Sequence, residues 1–171
     1  MPVLATPRLV LRELHAGDAP FIIRLVNDPA WLRFIGDRGI RTPDDARAYI
    51  VNGPVTMYAR CGFGLWLAEL KATGAPIGIC GLIRRDTLPD VDLGFALLPE
   101  FCGQGYAHEA AAASVAYARD TAALARLVAI TSPDNLRSQA LLKKLGFTYE
   151  RTLRLTETGP ESHLYGLRLK P

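Results

Sequence analysis

The chain has 171 residues, enough for one domain that buries roughly two thirds of its unfolded surface. Its 49% hydrophobic and 22% charged content excludes a disordered chain, and no run approaches the ~18 apolar residues of a membrane span. A net charge of +3, with 20 basic residues interleaved among 17 acidic ones, excludes the strongly basic surface of a general nucleic-acid binder.

No charged segment followed by an apolar core opens the sequence, so no export signal is expected and the cytoplasm is the expected location. Cys61, Cys80 and Cys102 form no C-x-x-C pair and read as reduced thiols. His15, His108 and His163 lie far apart, so no metal site is expected.

In chain order, Arg8 to Leu14 alternates apolar and polar residues as a half-buried strand does. Asp18 caps a helix from Ala19 to Asn27, with Phe21, Ile22, Leu25 and Val26 at helical spacing. Thr42-Pro43-Asp44-Asp45 opens a second helix, predicted to end near Asn52 at Gly53-Pro54. Strands over Gly64 to Leu70 and Pro76 to Ile83 flank the turn Ala72-Thr73-Gly74-Ala75 as a hairpin. A strand from Val91 to Leu97 leads into a glycine loop and a long Ala-rich helix reaching about Thr121. Arg126 to Thr131 is a further strand, and Ser132 to Asn135 a turn. A helix follows from about Leu136, with Gly146 as its left-handed cap. Strands over about Thr148 to Leu155 and Ser162 to Leu169 finish the chain. The order β-α-α-β-β-β-α-β-α-β-β describes a single mixed α/β domain of seven strands, residues 1–171. Most neighbours are antiparallel, and the helical crossover between the strands carrying Asp92 and Val128 makes that pair parallel.

The loop Pro99-Glu100-Phe101-Cys102-Gly103-Gln104-Gly105-Tyr106-Ala107 stands between a strand and a helix N-terminus. Glycines there let successive backbone N–H groups converge, and the helix dipole adds about half a positive charge, so a phosphorylated ligand is expected. It is not a P-loop, because Tyr106-Ala107 replaces the Lys-Ser/Thr that would follow the last glycine. Nor is it a dinucleotide fingerprint, because His108 occupies the place of the third small residue.

A second motif, Asn135-x-x-Ser138, opens the helix after the Val128 strand. Taken alone, it reads as capping. Taken with the glycine loop, it resembles the GNAT superfamily of acyl-CoA N-acyltransferases, in the ribosomal-protein-alanine acetyltransferase (RimJ/RimL) branch. Thr6-Pro7-Arg8-Leu9-Val10-Leu11-Arg12 with Asp18-Ala19 is similar to that branch's opening. Asp92-Leu93-Gly94-Phe95-Ala96-Leu97 continuing to Gly103-x-Gly105-Tyr106-Ala107-x-Glu109-Ala110 resembles its cofactor core. The helix that ends in Lys144-Leu145-Gly146-Phe147 matches its later part.

The resemblance implies a GNAT fold: a twisted, mostly antiparallel sheet with one splayed parallel pair and helices on both faces. It also implies acetyl-CoA as the acetyl donor. Backbone groups of Phe95, Ala96 and Leu97 would pair with pantetheine. Gly103, Gln104, Gly105, Tyr106 and Ala107 would hold the pyrophosphate, with the Gln104 side chain as a further donor. Asn135 would bind the pantetheine arm, and Arg137, Lys143 or Lys144 the ribose phosphate. Asp92 is the expected general base, acting through water, and Ser138 the group hydrogen-bonded to the thioester sulfur. Leu142 stands where many relatives have a tyrosine acid, which leaves that donor role to Ser138.

Such a site acetylates a primary amine. A protein N-terminal α-amine, with a pKa near ~8, is easier to deprotonate than a lysine near ~10.4. A small amine of polyamine or aminoglycoside type, or a CoA-binding module without turnover, are the alternatives. The resemblance leaves the acceptor open, and a monomer or homodimer is expected. Trp31 and Phe34 are candidate acceptor-groove residues, although core packing is the stronger reading of them; Glu157 and Glu161 are candidates for a cationic acceptor, and a solvated turn accounts for them equally well.

Overall fold

A computed structural model describes residues 2–170. One eight-stranded sheet organises the molecule: β1 (Pro2–Ala5), β2 (Leu9–Arg12), β3 (Leu65–Leu70), β4 (Pro76–Ile83), β5 (Asp92–Leu97), β6 (Arg126–Thr131), β7 (Thr148–Arg154) and β8 (Glu161–Arg168). Its order is β1-β2-β3-β4-β5-β6-β8-β7, and every neighbouring pair is antiparallel except β5 with β6.

β1 was not expected, and it raises the strand count from seven to eight. Four residues opening on Pro2 carry no alternation long enough to read, and pairing with β2 is what makes them a strand. Two hydrogen bonds of Thr6 close the turn between them: its N–H to the Leu9 carbonyl and its Oγ1 to the Leu9 N–H.

Among the described residues six α-helices flank the sheet: α1 (Ala19–Val26), α2 (Pro29–Phe34), α3 (Pro43–Ile50), α4 (Thr56–Cys61), α5 (Tyr106–Asp120) and α6 (Leu136–Lys144). α2 is a further addition to the sequence reading. Asp28 accepts from the Ala30 N–H and Pro29 fills the first helical position, so the local start signal was present on a short helix. The second predicted helix corresponds to α3 but does not stop at Gly53-Pro54. The backbone widens into a π-helical turn over Val51–Val55, which absorbs Pro54, and continues as α4. Thr56 Oγ1 donates to the Val51 carbonyl at 2.8 Å, and Gly62 in the left-handed region ends α4.

Strand alternation divides the core. Leu67 and Ile79 face α1, α2 and α3, packing on Ile22, Leu25, Trp31 and Ile50. Leu9, Leu11, Trp66, Cys80, Leu82 and Leu93 face α5 and the end of α6. The buried stripe of α5 is Ala110, Ser114 and Ala118, small side chains at helical spacing that let the helix lie close on the sheet. Close approach also explains Gly81, where a Cβ would fall 2.1 Å from the Gly64 carbonyl oxygen. No helix among the described residues is long and apolar enough to cross a membrane.

Candidate acyl-donor site

The parallel pair is where the sheet opens. β5 is paired with β4 along its whole length, but with β6 only at Asp92 opposite Val128. Beyond that bridge the two strands part. Leu98 N–H bonds to Ile77 O and Val128 N–H to Val91 O, which fixes the alternation of the backbone groups. The main-chain groups of Phe95 and Leu97 therefore face the gap, while those of Ala96 face β4. Of the three expected pantetheine contacts, two are available and Ala96 is committed to the sheet.

At the open end of this gap lies the glycine loop. A 3-10 turn over Pro99–Phe101 is followed by Gly103 at φ +76° and Gly105 at φ +83°, positions that favour glycine. Gly105 caps α5, its carbonyl accepting from Glu109 N–H at 3.0 Å. Among the described residues, nothing accepts from the N–H groups of Gly103, Gln104, Gly105, Tyr106, Ala107 or His108. A run of free donors at a helix N-terminus, with both glycines supplying the turn, fits a pyrophosphate. The Gln104 side chain does not add to it, because its Nε2 donates to the Glu100 carbonyl at 2.9 Å.

The loop is fixed from outside by residues the sequence reading did not assign. Arg8 donates from Nη1 to the Gln104 carbonyl at 2.9 Å and from Nε to Glu109 at 2.7 Å, and its guanidinium lies 4.3 Å from the centre of the Tyr106 ring. Thr6 Oγ1 donates to the same carboxylate at 2.5 Å. Partial burial pushes the Glu109 carboxyl up, but the hydrogen bonds from Thr6 and Arg8 outweigh it and hold the group below its usual range. These partners are 101 and 103 residues apart in sequence, so no local pattern connects them.

On the other side of the gap stands α6. Asn135 Oδ1 accepts from Ser138 N–H at 3.2 Å, the capping role read from its position, and its amide nitrogen carries no hydrogen bond among the described residues. The Ser138 hydroxyl likewise has no partner among the described residues, and the side chain is half-buried. Arg137, Lys143 and Lys144 are exposed, and no ion pair engages them among the described residues. The residues present thus fit a CoA thioester: backbone donors for its pyrophosphate, strand-edge groups for its amides and free cations for its outer phosphate.

Asp92 lies at the apex of the gap, its side chain on the sheet face covered by α1 to α3. It is 1% exposed and ion-paired with Arg85 Nε at 2.5 Å. Burial pushes the carboxyl up, and Arg85 offsets only part of that effect. Arg85 and Arg38 both act on the Tyr49 phenol of α3, whose own titration burial pushes up. A recess of about 480 Å³ lined by Arg38, Ile40, Asp45, Tyr49 and Asn52 opens beside α3.

Other candidates fall outside the gap. Trp31 is buried in the helical cluster, Phe34 lies beneath the Arg33 guanidinium, and Glu161 pairs with Arg154. Cys80 is fully buried, and burial pushes its thiol up to about 12, which makes it inert. Cys102 is half-buried in the loop, its Sγ 3.6 Å from the Leu98 carbonyl oxygen.

The acetyltransferase (GNAT) domain family matches residues 8–148. A solved acetyltransferase from Agrobacterium tumefaciens str. C58 is 28% identical, with a TM-score of 0.82 covering 98% of this chain and 95% of that one. FsC-acetyl coenzyme A-N(2)-transacetylase from Aspergillus fumigatus is 29% identical over 160 residues, 88% of this chain and 67% of the relative. RimL, a ribosomal α-N-protein acetyltransferase solved in complex with coenzyme A, shares the fold at 20% identity, with a TM-score of 0.82 over 98% of each chain.

Proposed function

The chain belongs to the GNAT acetyltransferase family, and from that premise we propose that it moves an acetyl group from acetyl-CoA directly to a primary amine, with a protein N-terminal α-amine as the favoured acceptor. The observation that carries the donor assignment is the unbroken run of free N–H groups from Gly103 to His108 beside the parting strands. The bound thioester supplies an acyl carbon open to attack and a thiol leaving group.

The chain's own residues do the rest. Phe95 and Leu97 line the gap with backbone groups that would align the pantetheine arm, and the Asn135 amide would meet the same ligand from α6. Arg137 and Lys144 would meet the ribose phosphate. Ser138 would hydrogen-bond to the sulfur from the first turn of α6. Asp92 would receive the amine proton, relayed by water because a carboxylate 1% exposed admits no bulky acceptor. Its raised pKa makes it a stronger base than an ordinary aspartate, and Arg85 favours its charged form. Fixing the amine in line with the thioester supplies the remainder of the rate.

An N-terminal α-amine is favoured because it is partly neutral at pH 7, so a base reached through water suffices. A second reading, a small-molecule acceptor, stands beside it, because one relative is an FsC-acetyl coenzyme A-N(2)-transacetylase and not a ribosomal-protein acetyltransferase. Both are tested by incubating the protein with acetyl-CoA and a panel of peptides, polyamines and aminoglycosides, reading thiol release and an acetyl mass gain. Release only with peptides would select the first reading, and only with small amines the second. No release with any amine, despite CoA binding, would identify a binding module without turnover.

A further inference from the structure

Thr131 closes β6 with 8% of its surface exposed, and its Oγ1 meets no hydrogen-bond partner among the described residues. A hydroxyl buried in this way weakens a fold unless something else completes it. Several groups of the turn that follows are engaged elsewhere. Gln139 donates to the carbonyls of Ser132 and Pro133, Ser132 donates to Asp134, and the Ser138 N–H is taken by Asn135. His163, directly across in β8, packs its ring edge-on against Tyr149 at 5.2 Å.

Position gives the orphan a meaning. Thr131 lies three residues beyond Val128, the last β6 residue bridged to β5, so it borders the gap where the strands have parted. Alternation puts its side chain on the face shared by Leu127 and Ala129, the face on which α6 lies. The other buried orphan, Trp31 Nε1, sits within the helical cluster and borders no strand gap.

We propose that Thr131 is a second hydroxyl donor, alongside Ser138, to the thioester sulfur. The inference rests on the acyltransferase reading and adds a catalytic residue to it. The pantetheine amides would be served by Phe95, Leu97 and Asn135, and the sulfur so far has one donor, Ser138. As the amine nitrogen bonds to the acyl carbon, the carbon–sulfur bond breaks and its electron pair stays on sulfur. Thr131 and Ser138 donate hydrogen bonds to that growing charge, the ammonium proton passes toward Asp92, and solvent later protonates the thiolate. The Thr131 hydroxyl keeps its own proton throughout.

Calorimetry with CoA and with desulfo-CoA, which lacks the sulfur, tests the assignment on the wild type, Thr131→Val and Thr131→Ser. The wild type should bind CoA more tightly than desulfo-CoA. Thr131→Val should bind desulfo-CoA like the wild type, show a smaller preference for CoA, and drop kcat about tenfold with little change in the acetyl-CoA KM. Thr131→Ser should keep both properties. Without ligand, Thr131→Val should melt at or above the wild-type temperature, because it removes an unpaired polar group. Wild-type preference and turnover in Thr131→Val would overturn the assignment, as would an equal loss in Thr131→Ser accompanied by a lowered melting temperature. If the wild type binds neither ligand, the acyltransferase reading itself fails.

Discussion

Asp92 is the residue whose chemistry the surroundings alter most. Burial raises its pKa, and the Arg85 contact opposes that rise by favouring the carboxylate. If it accepts the amine proton, wild-type kcat should fall on an acid limb lying above the ordinary 3.8 of an aspartate. Asp92→Asn should remove that limb and lower kcat at neutral pH by about 100-fold, read from a full kcat–pH profile. Gly105 makes a different demand, since its φ of +83° strains any L side chain and a Cβ there would lie 3.2 Å from Arg8 Nη2. Gly105→Ala should cost about 1–2 kcal/mol in a urea melt and weaken acetyl-CoA binding by calorimetry. Glycine at this position was legible as a turn residue. The raised pKa of Asp92 was not, because it depends on Arg85 and on helices packed from elsewhere in the chain.

At the level of elements, the anion site is a joint between α5 and the β1–β2 turn. Thr6 and Arg8 both reach Glu109 in the first turn of α5, and Arg8 also holds the Gln104 carbonyl. A carboxylate whose folded pKa is depressed contributes stability at neutral pH and loses it as the pH falls. For Glu109 that loss should begin near 4.5 and deepen through its lower folded value. Glu109→Gln should therefore flatten the acid side of the stability–pH curve below about 4.5, followed by thermal melts across pH. At pH 7 it should cost roughly 1–2 kcal/mol, through weaker hydrogen bonds to Thr6 and Arg8. The helices α3 and α5 announce themselves locally, by Thr42-Pro43 and by the Ala-rich run after Gly105. The π-helical turn at Pro54 does not, because proline ordinarily ends a helix; here the widened turn takes Pro54 into a buried position and Thr56 bonds back to the Val51 carbonyl.

For the molecule as a whole, a ligand held between the N-terminus of α5, the edge of β5 and the head of α6 ties together parts that come from the middle and the end of the chain. Acetyl-CoA at 100 times its Kd should stabilise the fold by about 2.7 kcal/mol and raise Tm by roughly 5–10 °C. No shift in a thermal melt at millimolar acetyl-CoA would remove the donor assignment. By itself, the sequence determined the α/β class, the hairpin of β3 and β4, the parallel crossover around α5 and the two motifs that carry the family. Each of these is written in short-range signals: alternation, capping residues, and glycines where the backbone turns left-handed. Only the tertiary structure decided which backbone groups face the gap, that Gln104 turns back onto the Glu100 carbonyl, that Arg8 and Glu109 brace the loop, and that Asp92 and Thr131 are buried at the parting strands. Those properties are set by contacts between residues far apart in sequence, and by how completely packing excludes water, neither of which any local pattern encodes.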